Sequence, residues 1–155
     1  MPHLIIEYSA NVSGVVDIGA VVEALHNSAV ATGIAPIDAL RTRAVERTLY
    51  AIADRQPDNA FIAVTVRLAE GRSRQELGVL LESLMSALDV TLGQAQRNIM
   101  LSVECQEIVA GLRINKNNLR SVIAERTQHP ESNGRALERN VHGDRSLSQR
   151  PGVQK

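Results

Sequence analysis

Ala60-Phe61-Ile62-Ala63-Val64-Thr65-Val66-Arg67-Leu68, followed by Gly71-Arg72-Ser73-Arg74-Gln75-Glu76, reads as a strand delivered straight into a helix start. Strict alternation puts Ile62, Val64, Val66 and Leu68 on one face, with smaller or polar residues opposite, as a strand with one buried face requires. Ser73 and Glu76 then stand at capping-box spacing, the serine oxygen and the glutamate each satisfying an orphan amide of the first turn. The stripe Leu77, Leu80, Leu81, Leu84, Met85 and Leu88 continues at the 3.6-residue period and predicts a helix to about Arg97. Downstream, residues 99–108 predict another strand. Upstream, Arg55-Gln56-Pro57-Asp58-Asn59 is turn chemistry, and residues 40–53 alternate unevenly, predicting a bent or bulged strand pair. Before the Pro36 connection, Ile18, Val21, Val22, Leu25, Ala29 and Val30 form a helix stripe that starts at Asp17 and stops at Gly33. The chain opens on Pro2-His3-Leu4-Ile5-Ile6-Glu7-Tyr8, a strand from its first residues.

Strand, helix, strand is thus met twice, predicting an α+β fold. A four-stranded sheet would carry two helices on one face, built from two similar β-α-β halves of about 60 residues. The opposite face is then expected to be broad, apolar and uncovered, and burial against further copies is the usual remedy, so a homo-oligomer is predicted. The boundaries read from the sequence are a domain over 1–123 and a disordered tail over 124–155. The tail is too poor in apolar residues to offset the entropy of ordering.

Composition narrows the function classes. Seventeen Lys and Arg balance 17 Asp and Glu, and the +2 of residues 124–155 is offset by −2 elsewhere, so neither nucleic acid nor an anionic membrane is an expected partner. Three aromatic residues, Tyr8, Tyr50 and Phe61, leave an aliphatic core and almost no platform for stacking bases. One cysteine, Cys105, excludes an internal disulfide and a thiolate zinc site. No metal-ligand spacing and no phosphate-binding glycine loop occurs, and neither a membrane span nor a signal peptide is evident; the expectation is a soluble, cytoplasmic protein without metal or cofactor.

Chemistry is expected at Pro2. Removal of Met1 from Met-Pro exposes a secondary amine at the start of a strand, held by the sheet. An α-amino group titrates near about 7.7–8.0, and burial or a nearby cation would bring it to where proton transfer at neutral pH is most effective. Arginines supply carboxylate binding: Arg72 precedes a helix N-terminus, while Arg41 and Arg43 are expected on opposite strand faces, so that one of them enters a pocket. Arg67 reads as surface charge.

Five segments in order, Pro2 to Ser9, Ala31-Thr32-Gly33-Ile34-Ala35-Pro36, Leu40-Arg41-Thr42-Arg43, Gly71-Arg72-Ser73 and Asn115-Lys116-Asn117-Asn118, resemble the 5-carboxymethyl-2-hydroxymuconate isomerases of the tautomerase superfamily. The resemblance spans roughly residues 2–118. It implies a trimer of β-α-β repeats. It also implies a cofactor-free isomerase of aromatic-acid catabolism, acting on a small dicarboxylate, with Pro2 as general base and Arg41 and Arg72 as substrate-binding residues. Ala35, Ala44, Val45 and Leu49 stand where relatives are richer in aromatics, and the tail has no counterpart. The rivals are a non-catalytic oligomeric binding protein of the same fold, or hydration or dehalogenation by the same base.

Other candidates read as structural. Alternation turns His3 away from Pro2; His26 suits a helix C-terminus; Cys105 reads as a small buried hydrophobe; Glu7 and Glu104 are placed to pair across strands, or Glu7 to support the site.

Overall fold

The computed structural model describes residues 2–128. β1 (His3–Ser9) leads through a 3₁₀ turn at Ala10–Gly14 into α1 (Ile18–Ala31) and then β2 (Arg41–Arg47). β3 (Ala60–Ala69) leads into α2 (Arg74–Leu92), a 3₁₀ stretch at Gly93–Asn98, and β4 (Ile99–Ile108). The sheet order is β2-β1-β3-β4. β1 pairs parallel with β2, β3 parallel with β4, and β1 antiparallel with β3, so two β-α-β units meet along the central strand pair.

Both helices start where the sequence provides a cap. The Asp17 carboxylate accepts from the amides of Gly19 (2.8 Å) and Ala20 (3.3 Å). At α2 the Ser73 hydroxyl accepts from the Glu76 amide while Glu76 accepts from the Ser73 amide, as the capping box requires. The two helices lie side by side, Ser28 of α1 donating to the Ser83 carbonyl of α2 at 3.0 Å. Their stripes, Val21, Leu25 and Ala29 with Leu80, Leu84 and Leu88, pack on Leu4, Ile6, Ile62, Val64, Val66 and Leu68. Each large aliphatic residue so buried contributes roughly 1.5–3 kcal/mol relative to exposure.

The structure corrects four expectations about the elements and their faces. Residues 40–53 form one strand that ends at Arg47; the 48–59 segment turns instead through left-handed backbone at Ala53 (φ 47°) and Arg55 (φ 64°). α2 stops at Leu92, because Gly93 takes φ 50°, a conformation costly for a residue with a side chain. The uncovered face is not broadly apolar. Ile5, Val45, Ala63, Phe61 and Met100 are interrupted there by His3, Glu7, Arg41, Arg43, Arg47, Arg67 and Glu104. Finally, α3 (Leu119–Gln128) carries helix five residues into the segment expected to be a disordered tail. It belongs to a second unit that begins at Asn118, the first ending at Asn117. The rest of that tail, 129–155, lies outside the described residues. Among the described residues no helix is long and apolar enough to cross a membrane, and no cluster of His, Cys, Asp and Glu could hold a metal ion.

Candidate active site at the leading end of the sheet

Pro2 opens the β1–β2 ladder: its carbonyl accepts from the Arg41 amide at 3.2 Å. The residue is buried and continues the alternation of Leu4 and Ile6, which belong to the helix-covered face.

Arg41 stands on the other face. Thr42 contacts His26 of α1 at 2.8 Å between Oγ1 and Nδ1, so its neighbours Arg41 and Arg43 point away from the helices. Residues two apart on a strand share a face, and the expectation that Arg41 and Arg43 diverge is thereby overturned. Arg43 Nη1 lies 3.2 Å from His3 Nδ1. Arginine has only donors, so the imidazole accepts at Nδ1 and is neutral, with its proton on Nε2. Burial, then the charges of Arg41, Arg43 and Arg67, push the His3 pKa below its usual 6.5.

Arg72 is fixed differently. Its guanidinium donates from Nη1 to the Ala69 carbonyl and from Nη2 to the Ile34 carbonyl, each at 3.0 Å, pinning the end of β3 to the loop after α1. Gly33 (φ 71°) and Gly71 (φ 108°) give both loops the turns this needs. An open groove of about 670 Å³ follows, lined by Arg72 with Thr32, Ile34, Glu70, Gln75 and Val79. Pro2 and Arg41 do not line it.

The structure therefore joins Pro2 to Arg41 through the backbone and sets Arg72 beside the loops of the helix layer. It does not bring the two guanidinium groups to one face. Gln75 and the Ile34 carbonyl were not foreseen. Gln75 carries no motif of its own, and a backbone acceptor leaves no mark in the sequence. The Asn115–Asn118 segment does have a role here, since Asn117 Nδ2 donates to the Asp38 carbonyl at 2.8 Å in the turn that precedes Arg41.

Among the remaining candidates, His26 lies five residues before the end of α1 at Ala31 rather than at the helix C-terminus where it was expected. His26 ties α1 to β2, and burial followed by the Glu107 charge pushes the Cys105 thiol up, away from nucleophilic use. Glu7 and Glu104 do not pair: Glu7 forms a salt bridge with Arg47, and Glu104 accepts from Thr65 Oγ1 at 3.3 Å. The register explains this, because Glu7 stands opposite Ala63, and Glu104 opposite Thr65.

A family described as 5-carboxymethyl-2-hydroxymuconate isomerase matches residues 2–123. The chain is 30% identical over 125 residues to the 5-carboxymethyl-2-hydroxymuconate Delta-isomerase of Escherichia coli, covering 79% of this chain and 98% of that relative. Its fold is similar to the crystal structure of a 5-carboxymethyl-2-hydroxymuconate isomerase from Deinococcus radiodurans R1, with a TM-score of 0.72, 29% identity and coverage of 79% and 93% of the two chains. A fused 4-OT solved as a symmetric trimer shares the fold at a TM-score of 0.58 and 21% identity, over 79% of this chain and 98% of that one.

Proposed function

The chain belongs to the 5-carboxymethyl-2-hydroxymuconate isomerase family, a family of enzymes within the tautomerase superfamily, and from that premise we propose that it moves a proton within an unsaturated 2-hydroxy or 2-keto dicarboxylic acid. The substrate is 5-carboxymethyl-2-hydroxymuconate, met in the breakdown of aromatic acids. Pro2 is the general base. In peptide linkage to Met1 its nitrogen has no usable lone pair, so the base exists only after Met1 is removed. The free imino nitrogen, kept uncharged by burial, takes the proton from the dienol and returns it to another carbon; such transfer contributes typically about 10²–10⁴-fold. Arg41 and Arg72 hold the carboxylates and stabilise charge as it develops on oxygen. No metal or cofactor is needed for this step.

The observation that carries the reading is the placement of Pro2 immediately before β1, bonded through its carbonyl to the Arg41 amide. Arg41 and Arg72 lie on different faces, and a small diacid cannot reach both through the sheet. A homotrimer meets that requirement, with Arg41 supplied to the groove of Arg72 by a neighbouring copy.

The test combines intact mass with a ketonisation assay on 5-carboxymethyl-2-hydroxymuconate. We expect a chain starting at Pro2, a Pro2→Ala variant about 10²-fold slower in kcat, and an Arg72→Ala variant with KM raised about tenfold. Retained Met1, or equal rates in all three proteins, would falsify the proposal.

A further inference from the structure

We propose that Asn117 is a positioning residue for this reaction: from the far end of a strap over residues 109–117 it holds the turn that delivers Arg41 to the carbonyl of Pro2. This rests on the reading of Arg41 as a substrate-binding residue. A segment that carries the family resemblance, Asn115 to Asn118, thereby gains a part in the chemistry.

β2 is the edge strand beside β1. At its leading end the Arg41 amide is bonded to the Pro2 carbonyl, and the turn just before it sets how the strand enters the sheet. That turn is tight: the Ala39 and Leu40 amides both donate to the Pro36 carbonyl, at 3.0 and 3.1 Å, and both residues are buried. In the same turn the Asp38 carbonyl accepts from Asn117 Nδ2 at 2.8 Å, across 79 residues of sequence. Ala39 and Leu40 alone separate Asp38 from Arg41, so the orientation of this turn sets the direction in which the Arg41 side chain leaves the strand.

The other end of the strap is tied to the groove of Arg72. The Ala110 amide donates to Glu70 Oε1 at 2.6 Å, and the Glu70 amide to the Ile108 carbonyl at 3.2 Å. Glu70 lines that groove and follows Ala69, whose carbonyl Arg72 grips. Gly111 (φ 82°) turns the chain after β4. Between the two ties the strap passes the leading end of β1, because β1 stands between β3 and β2 in the sheet. Leu112 and Ile114 are 77% and 101% exposed, so burial does not hold the strap, and the side-chain bonds at its ends gain in importance. The strap thus connects the supports of the two arginines that hold the substrate.

The test is a double-mutant cycle on the ketonisation of 5-carboxymethyl-2-hydroxymuconate, with Asn117→Ala and Arg41→Ala made singly and together. Asn117→Ala removes the donor and should raise KM about fivefold, with kcat within about twofold of wild type. In the Arg41→Ala background the same change should raise KM no further, because the group it positions is gone. Asn117→Gln, which keeps an amide donor, should recover part of the loss. Should Asn117→Ala fail to fold, Asn117→Asp, isosteric and without the donor, takes its place in the cycle. KM effects that multiply in the double variant overturn the proposal, since a bond that only stabilises the fold acts whether or not Arg41 is present. A raised KM in Arg41→Ala beside an unchanged one in Asn117→Ala overturns the role of Asn117 alone. An unchanged KM in Arg41→Ala overturns the substrate-binding reading of Arg41 and this inference with it.

Discussion

At the scale of single residues, the leading end of the sheet is governed by how guanidinium groups are held. Arg72 spends two of its five donors on the Ala69 and Ile34 carbonyls, which restricts its conformations before any ligand arrives. Replacing it with lysine keeps the charge but cannot reproduce both bonds. Arg72→Lys should therefore raise KM for a dicarboxylate severalfold while leaving the charge of the groove unchanged, a difference steady-state kinetics will detect. His3 carries a second prediction. Its pKa is lowered in the folded chain by burial and by Arg41, Arg43 and Arg67, so between the folded value and about 6.5 the unfolded chain binds the extra proton. The stability this contributes is present above about pH 6.5 and is lost as pH falls through the folded value. Urea titrations should show His3→Gln flattening the loss of stability on acidification, and an unchanged slope would remove His3 as its source. Pro2 and the arginines were readable from the sequence as residue types. Their faces were not, since one contact between Thr42 and His26 decides the orientation of the whole of β2.

At the scale of elements, β3 and α2 were the most legible parts of the chain because each carries two independent signals that agree. β3 has strict alternation and a turn before it; α2 has a leucine stripe and a capping box. Ser73→Ala should cost about 1 kcal/mol, and Glu76→Ala, which leaves the serine cap in place, less. Chemical denaturation measures both; equal and negligible losses would mean that packing alone starts the helix. Equally, the cap bonds pull the Glu76 pKa down, so part of this contribution disappears as the carboxylate is protonated in acid. β2 was harder to read. Its residues Arg41, Thr42, Arg43, Ala44 and Val45 include no deeply buried side chain, and an edge strand shows only half the contrast that marks a central one. The segment after it is ordered by side-chain bonds that no periodicity reveals, Asn59 donating to the Ile52 carbonyl and Asn11 to the Asn59 carbonyl.

For the whole molecule, the proposed homotrimer follows from a sheet covered on one side, and the makeup of the other side says how to test it. Ile5 and Val45 sit among charges on the uncovered face, whereas Val90 is 81% exposed on α2. Sedimentation of the wild type should give about three times the 16.8 kDa chain mass. Ile5→Asp should reduce it to monomer, with Val90→Asp unaffected, because only the first buries a charge between copies. A monomeric wild type would refute the trimer. By itself the sequence determined the two β-α-β halves, the aliphatic core, both helix starts and the family, because periodicity, capping and composition are local properties that every folded context must respect. Tertiary structure alone decided that Arg41 shares a face with Arg43, that Arg72 is clamped by two distant carbonyls, and that the arginines of β2 and β3 close on the same rung of β1. Each depends on strand order and register, which are set by the joint burial of side chains far apart in the chain and are encoded at no single position.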